Sequence, residues 1–491
     1  MRLRSLAVAA LALSAAGPVL LAPAGAAAPA QHVVRDTEAG RMTRRPKGDE
    51  FQADTTIEPS IAVNPANPRN AVVGFQAGRA DGAASNGYGV TFDAGRHWTY
   101  GLMPKLTGLT GGQFTAASDP VIAFGPKNTV YFSSLAFNAD TSAIVNHTSH
   151  DGGRHWDAPT YVLNNPGQIF DDKNWVVVDN GTGLGHHTGR VYVLWDVGEP
   201  VLASYSDDEG KTWLAAPSVV FPGQGIGTIP LVLGNGDLAV VFATNAYVPP
   251  ADSATPPDNQ LDTTTVGRMV VATAHGAGAL PTGAPLTFTP PVTVGSDRGH
   301  AVQDLRAGGL PSASVDPKTG LLAVTWEDGR YRKDSQNDVV VTTSSNGVTW
   351  SVPKRVNRGG TDDEVDHFTP ALAFGTDGVL RIAYRQRPDA TNDEKAPYVD
   401  TYFQQSSDGG KTWSAPLRVN RVRTDLRFAA FSRNAAFLGD YMQVAPAGAF
   451  TYVVRCEALH LSARDKGSLP PDETHHQRTY VAVVGPRGKT L

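Results

Sequence analysis

SSDGGKTW, from Ser406 to Trp413, decides how the rest of the chain is read. Ser406 and Asp408 stand two residues apart, so hydroxyl and carboxylate can both bond backbone amides of one tight turn. Gly409 and Gly410 permit the left-handed backbone that such a turn requires. Trp413 opens the next strand and is placed to fold back as an apolar plug. The chain repeats the stretch. TFDAGRHW runs from Thr91 to Trp98, SHDGGRHW from Ser149 to Trp156 and SDDEGKTW from Ser206 to Trp213. TSSNGVTW, from Thr343 to Trp350, is a weaker copy with Ser345 at the aspartate position. The copies starting at 91, 149 and 206 are 58 and 57 residues apart, and those at 343 and 406 are 63 apart. The longer gap from 206 to 343 leaves room for one unit whose turn has decayed, near Thr273. A sustained period of this kind declares an array of one supersecondary unit.

The pattern Ser/Thr-x-Asp-x-Gly-x-x-Trp resembles the Asp-box, or bacterial neuraminidase repeat, of the sialidase superfamily, here of the secreted bacterial type. It covers most of the chain beyond the first fifty residues. The resemblance implies an all-β propeller of four-stranded antiparallel blades, each box joining the third strand to the fourth. In that family the box is structural. Asp93, Asp151, Asp208 and Asp408, with Trp98, Trp156, Trp213, Trp350 and Trp413, are therefore expected to hold turns and not to react.

The remaining sequence agrees with an exported all-β chain. Arg2 and Arg4 precede an apolar run from Leu6 to Leu21 and then small residues. Residues 1–30 are thus expected to be a signal peptide and the protein to be secreted. No later stretch is apolar for long enough to span a bilayer. The net charge of −5, with both signs interspersed, lacks the basic stripe that nucleic acid demands. Cys456 is the only cysteine, which rules out an internal disulfide, and its apolar surroundings place it in the core. No phosphate loop or Gly-x-Ser-x-Gly motif occurs. The pairs His186-His187 and His475-His476 have no third ligand at a useful spacing. Neither metal nor cofactor is expected, and the chain reads as a monomer with a carbohydrate ligand.

Residues 31–56 read as a flexible polar leader carrying the basic run Arg41 to Lys47, and 57–491 as a single propeller. From Ile57 a unit of short strands recurs seven times. Its first strands begin near Glu58, Asp119, Asp171, Ile229, Leu310, Phe368 and Gly439. The seventh unit lacks a box and a clear fourth strand. A propeller closes by pairing its chain ends, so seven blades follow if residues around Val33 complete the last unit. Six follow if units one and seven merge, and catalytic sialidases have six. Longer surface loops fall at Tyr247 to Asp262 and Leu461 to His476.

Connectivity also locates a site. The boxes occupy one face, so a ligand at the axis of the other face would meet first-strand starts and second-strand ends. These positions are rich in charge. Trp195 and Trp326 among them offer stacking surface for a sugar ring. The resemblance implies an arginine triad that clamps a sugar carboxylate, a tyrosine nucleophile polarised by a glutamate, and an aspartate as general acid and base. Tyr441 matches the nucleophile by position. Glu327 or Glu457 is then its partner, and Asp119 or Asp171 the acid. The family's Arg-Ile-Pro is absent, with Glu58-Pro59-Ser60 in its place, and only Arg268 resembles a later triad arginine. A rebuilt clamp would draw on Arg330, Arg385 and Arg455, with Arg79 on the same rim.

Overall fold

The computed structural model describes residues 30–44, 46, 51–79, 82–167, 171–244, 267–388, 397–432, 435–460, 475–489 and 491. Residues 1–29, the Tyr247 to Asp262 loop and most of the Leu461 to His476 loop lie outside the described residues. What is described is nearly all β, with short 3-10 turns and no α-helix.

The strands form successive four-stranded antiparallel meanders. Sheet one is Gln52–Val63, Ala71–Arg79, Ala83–Thr91 and Thr99–Leu102. Sheet two is Ala116–Phe124, Val130–Phe137, Thr141–Ser149 and Thr160–Pro166. Sheet three is Asp172–Val178, Val191–Asp196, Val201–Ser206 and Ser218–Phe221. Sheet four is Gly225–Val232, Leu238–Thr244, Arg268–Ala274 and Val292–Ser296. Sheet five is Ser312–Val315, Leu322–Asp328, Asp338–Ser344 and Lys354–Arg355. Sheet six is Asp366–Phe374, Leu380–Arg387, Tyr398–Ser406 and Leu417–Arg418. The last sheet takes Gln443–Ala447, Phe450–Ala458 and Gln477–Pro486 from the C-terminal end. Its outer strand, Gln31–Gly40, comes from the N-terminal end.

That outer strand corrects the expectation of a flexible leader. Residues 31–40 pair antiparallel with Gln477–Pro486, Val33 lying opposite Val484, and Gln52 already belongs to sheet one. Polar contacts fix the strand further. Arg35 Nη1 donates to the Ala94 carbonyl at 3.0 Å, Thr37 Oγ1 donates to Gly95 O at 2.9 Å, and Asp36 accepts from Arg455 at 2.7 Å.

The sequence dictates this packing because the central strands are apolar on both sides. Every residue of Ala71–Arg79 and of Leu322–Asp328 is buried. A sheet with two apolar faces must be covered twice, and each meander packs between two others. Phe132 and Val72 share the layer between sheets one and two, and Trp195 and Tyr131 that between two and three. Phe403 and Val453 join sheet six to the last. Phe75 and Tyr452 join the last to sheet one. The first strands lie side by side in the same cyclic order.

The repeated turns form as read. Asp408 Oδ1 accepts from Ser406 Oγ (2.7 Å), Lys411 N (3.0 Å) and Thr412 N (2.9 Å), while Gly410 N donates to Ser406 Oγ at 2.8 Å. Asp93, Asp151 and Asp208 repeat the arrangement. Two consecutive residues take left-handed φ, Gly409 (71°) and Gly410 (84°) in this copy. The weaker copy differs from its expected alignment. Asn346, and not Ser345, takes the aspartate role, accepting from Val348 N at 2.9 Å and Thr349 N at 2.8 Å. The turn is one residue shorter, with only Gly347 left-handed. The five tryptophans are half-buried plugs, each seated between its own sheet and the preceding one. In sheet four the third strand ends at Ala274 without this turn, and Asp237 holds the Gly276 amide from the neighbouring turn at 2.7 Å.

Candidate functional site at the axis

Five first strands carry a bulge at the same height, with register shifts at Ile57/Ser60, Ser118/Val121, Asp172/Trp175, Ile226/Ile229 and Phe368/Ala371. Within each shift one residue is left-handed: Glu58 (φ 50°), Asp119 (46°), Lys173 (46°), Gly227 (75°) and Thr369 (48°). Only glycine adopts this backbone freely, and each of the other four costs about 1–3 kcal/mol. A bulge re-aims the side chain it carries. Because the first strands surround the axis, the bulges of sheets one to three bring Glu58, Asp119 and Lys173 into one cluster.

Lys173 Nζ stands 3.3 Å from Asp119 Oδ1 and 3.3 Å from the centroid of the Tyr441 ring. The edge of Trp175 meets the same ring at 5.7 Å, and the Tyr441 hydroxyl donates to the Pro120 carbonyl at 3.3 Å. Gln76 Nε2 donates to Glu58 and, at 2.8 Å, to Ser118 Oγ. A small extra sheet, Leu305–Arg306, Ala430–Ser432 and Ala435–Phe437, adds residues from two connections. Arg306 Nη2 donates to Asp440 Oδ2 at 2.6 Å. Arg306 Nη1 and Arg79 Nη2 both donate to Ser432 Oγ, each at 3.0 Å. Both guanidinium groups lie against Phe437, at 4.2 and 5.3 Å from the ring centre. Arg79 has no carboxylate partner among the described residues: its Nη1 meets Gln76 Oε1 at 3.2 Å and its buried Nε is unbonded.

Five carboxyls, Glu58, Asp119, Asp172, Asp196 and Asp440, thus face three cations, Arg79, Lys173 and Arg306. Burial, then the neighbouring Asp119, pushes Glu58 up to about 8. The same two causes push Asp172 up to about 6. Burial and Asp172 raise Asp196 well above the ordinary carboxyl range. Burial opposes ionisation of Asp440 as well, yet Arg306 and Lys173 outweigh it and hold this carboxyl below its ordinary value. Burial and the acids Glu58 and Asp119 raise the Tyr441 phenol well above its ordinary value. A cavity of about 20 Å³, room for roughly one water, is lined by Lys173, Gly227, Thr369, Asp440 and Tyr441. A second, of about 200 Å³, lies along the first strands and is lined by Trp175, Leu231, Ser312, Leu372 and Val444.

Of the residues expected from the sequence, the structure brings together Asp119, Arg79 and Tyr441. The others have different partners. Asp171 is engaged by Ser142 Oγ at 2.6 Å, Asn165 at 3.1 Å and Trp195 Nε1 at 3.1 Å. Glu327 accepts from the backbone amides of Thr369 (2.7 Å) and Gly309 (2.9 Å), and burial pushes it up to about 7. Glu457 is taken by Arg455 at 2.6 Å. The expected convergence of arginines on Tyr441 does not form. Arg330 is chelated by Asp328 at 2.8 and 2.7 Å, and Arg455 is shared by Asp36 and Glu457. Arg385 is spent on the Leu438 and Gly439 carbonyls at 2.8 and 3.2 Å. Arg268 is exposed at the start of its strand. Trp195 and Trp326 are fully buried, their indole N–H groups bonded to Asp171 and Asp328, so neither offers a face to a sugar. His186 is bonded to Asp179 at 2.7 Å and His476 to Asp54 at 2.6 Å. No group of three metal-type side chains is placed to hold an ion among the described residues.

Arg306, Ser432 and Phe437 escape a reading based on strand ends, because they sit in connections between units. The one signal near them is Gly308-Gly309, directly before the first strand of sheet five, where both residues are left-handed.

No family model matches the chain, and no curated protein matches it. Among solved structures it is similar to the Penicillium chrysogenum alpha-L-arabinanase complexed with arabinobiose. That match is 11% identical, covers 93% of this chain and 100% of that one, and has a TM-score of 0.44. The Phage phi92 endosialidase is 12% identical over 94% of this chain and 70% of that one, with a TM-score of 0.48. The Hadza microbial sialidase Hz136 is 12% identical over 94% and 98%, with a TM-score of 0.44. These likenesses concern the shape of the chain and not its chemistry.

Proposed function

We propose that the chain is an exported, sialidase-like propeller of seven blades that holds an acidic sugar at its axial mouth, on the face away from the repeated turns. The blade count rests on the cyclic packing of the sheets and on the outer strand that Gln31–Gly40 supplies to the last one. The observation that carries the ligand reading is the approach of Arg79 and Arg306 to a single serine hydroxyl. Two like charges side by side are stable where an anion lies between them, and a planar carboxylate meets guanidinium groups through paired, charge-assisted bonds. Arg306 keeps 27% of its side chain exposed, which leaves solvent a way in. Calorimetry with N-acetylneuraminate, a hexuronate and a neutral hexose tests this. The two acids should bind, the neutral sugar should not, and Arg306→Ala should weaken the acids by at least about tenfold, the loss of one charged hydrogen bond. Equal binding of all three, or none, ends the reading.

Hydrolysis is the second part of the proposal. The observation that favours it is the cluster of buried carboxyls around Tyr441, where burial and Asp119 push Glu58 up to about 8. Tyr441 is the expected nucleophile, although only 6% of it is exposed and its hydroxyl faces the Pro120 carbonyl. A fluorogenic sialoside should be cleaved by the protein and not by Tyr441→Phe. Binding without cleavage would leave a carbohydrate-binding propeller.

A further inference from the structure

We propose that Asp172 and Asp196 are a proton-sharing pair whose Asp196 member delivers a proton to the bound glycan at the axial mouth. The inference rests on the acidic-sugar reading above for its substrate, and on the geometry of sheet three for its chemistry.

The two residues stand directly opposite each other across the first and second strands of sheet three. Opposed residues of an antiparallel pair project from the same face, so the two carboxyls are near neighbours. Asp172 Oδ1 already accepts from the Lys173 amide at 2.9 Å. Asp196 is 2% exposed, and its Oδ2 has no partner. A buried, unbonded carboxylate oxygen is costly, whereas a carboxylic acid beside a carboxylate is not.

Counting the cluster points the same way. Lys173 is engaged by Asp119 and Arg306 by Asp440, and Arg79 gives its bonds to Gln76 and Ser432. No cation is left for the Asp172–Asp196 pair. No metal-type group is placed to supply one among the described residues. Protons are what remain to balance the charge, and two are needed for five carboxyls against three cations. Glu58 holds one and the Asp172–Asp196 pair the other, consistent with the raised values of both acids of the pair.

The Gly227 amide donates to the Asp196 carboxyl, and Gly227 lines the cavity that reaches Lys173 and Tyr441, where one water has room to relay the proton outward. In the step inferred, the O–H bond of Asp196 breaks and its electron pair stays on the carboxylate. The proton passes to the glycosidic oxygen, whose C–O bond to the anomeric carbon breaks with the electron pair on the departing oxygen. Tyr441 bonds to the anomeric carbon as that bond breaks and passes its phenol proton to Asp119; water then displaces the tyrosine oxygen, which takes that proton back, and the proton the water loses restores the pair.

Two measurements on the full chain separate this from the ligand reading. Infrared difference spectra at neutral pH, wild type minus variant, should resolve the carbonyl stretches of two buried carboxylic acids at the axis, apart from those of the acids buried elsewhere. Asp196→Asn should remove one and Glu58→Gln the other, with melting curves confirming that both variants fold. A spectrum unchanged by Asp196→Asn overturns the shared proton. Hydrolysis is then compared on acidic glycosides with an alkyl and a phenol leaving group. Asp196→Asn should lower kcat about 100-fold or more on the first, the usual size of general-acid catalysis, and far less on the second, which departs without a proton. Asp172→Asn should move the alkaline limb of the wild-type profile to lower pH, because Asp196 loses the neighbouring negative charge. An equal loss on both leaving groups, or an unmoved limb, assigns Asp196 a structural role. If the acids bind in calorimetry but nothing is cleaved, the proton-donor role falls and the ligand reading stands. If nothing binds, the ligand reading and the donor role fall together, and the spectra alone decide whether the pair holds its proton.

Discussion

Arg79 and Arg306 differ in what binds them, and the difference makes a prediction. Arg306 has a carboxylate partner in Asp440, so Asp440→Asn should free its guanidinium and tighten an anionic ligand. Ser432→Ala removes the hydroxyl that both arginines share and should weaken the same ligand several-fold without loss of folding. Titration calorimetry reads both, and opposite signs for the two variants are the expected outcome. The rejected arginines teach something about reading strands. Asp328 and Arg330 are two residues apart, as are Arg455 and Glu457; the second pair shares one face of its strand, and the first closes in the turn after Asp328. Each such arginine arrives at the rim already neutralised by its own strand. Within its own strand Arg79 has Ala77, and no acid, at that spacing. An acid at period two accounts for Arg330 and Arg455 but not for Arg385, which is spent on the backbone carbonyls of Leu438 and Gly439. Arg306 defeats the same rule: Asp304 stands two residues before it, yet its partners are Asp440 and Ser432, more than a hundred residues distant.

At the level of the turn, the repeat is legible almost in full, since its bonds are local and its glycines are fixed by left-handed φ. Its weak copy is legible only up to one residue. Counting back from Trp350 selects Ser345, whereas counting forward from Ser344 selects Asn346, and the bonds choose the second because the shorter turn drops one left-handed position. Asp408→Ala removes the acceptor of two amides and two hydroxyls and should cost about 1.5–3 kcal/mol, the range for hydrogen bonds to a charged group. Asn346→Ala should cost less, about 1 kcal/mol, because its acceptor is neutral. Chemical denaturation of both variants checks the order. Trp413→Ala, on a half-buried side chain, should cost about 2–3 kcal/mol, below the range for a fully buried tryptophan. An unchanged midpoint would remove the plug from the account.

Over the whole molecule, buried acids set the pH response. Burial pushes Asp297 to about 6 and Glu327, Asp366 and Glu457 to about 7, with Glu58 at about 8. In each case the folded chain keeps a proton that the unfolded chain releases in the ordinary carboxyl range. This stabilisation is complete below that range and is lost as pH rises through the folded values. His147 and His367 act in the opposite sense. Burial holds both down to about 4, so their contribution is present above the ordinary histidine range and is lost as pH falls through about 4. The melting temperature should therefore peak near the upper end of the ordinary carboxyl range and decline from there to about pH 8. Glu58→Gln, which cannot ionise, should flatten part of that decline. A melting temperature that rises steadily to pH 8 would contradict the assignment.

The pairing of Gln31–Gly40 with Gln477–Pro486 joins the first described strand to the last. The early strand has no partner until almost the whole chain exists, so closure comes late and its search spans a very long loop. Once formed, the pairing seals the edge of the last sheet and delays opening of the circle. Its influence should accordingly fall on unfolding speed more than on refolding speed. A chain lacking residues 30–40 should unfold faster in denaturant jumps and form oligomers through the bared strand, while refolding at a nearly unchanged initial rate. Refolding slowed as much as unfolding is hastened would mean that closure happens early.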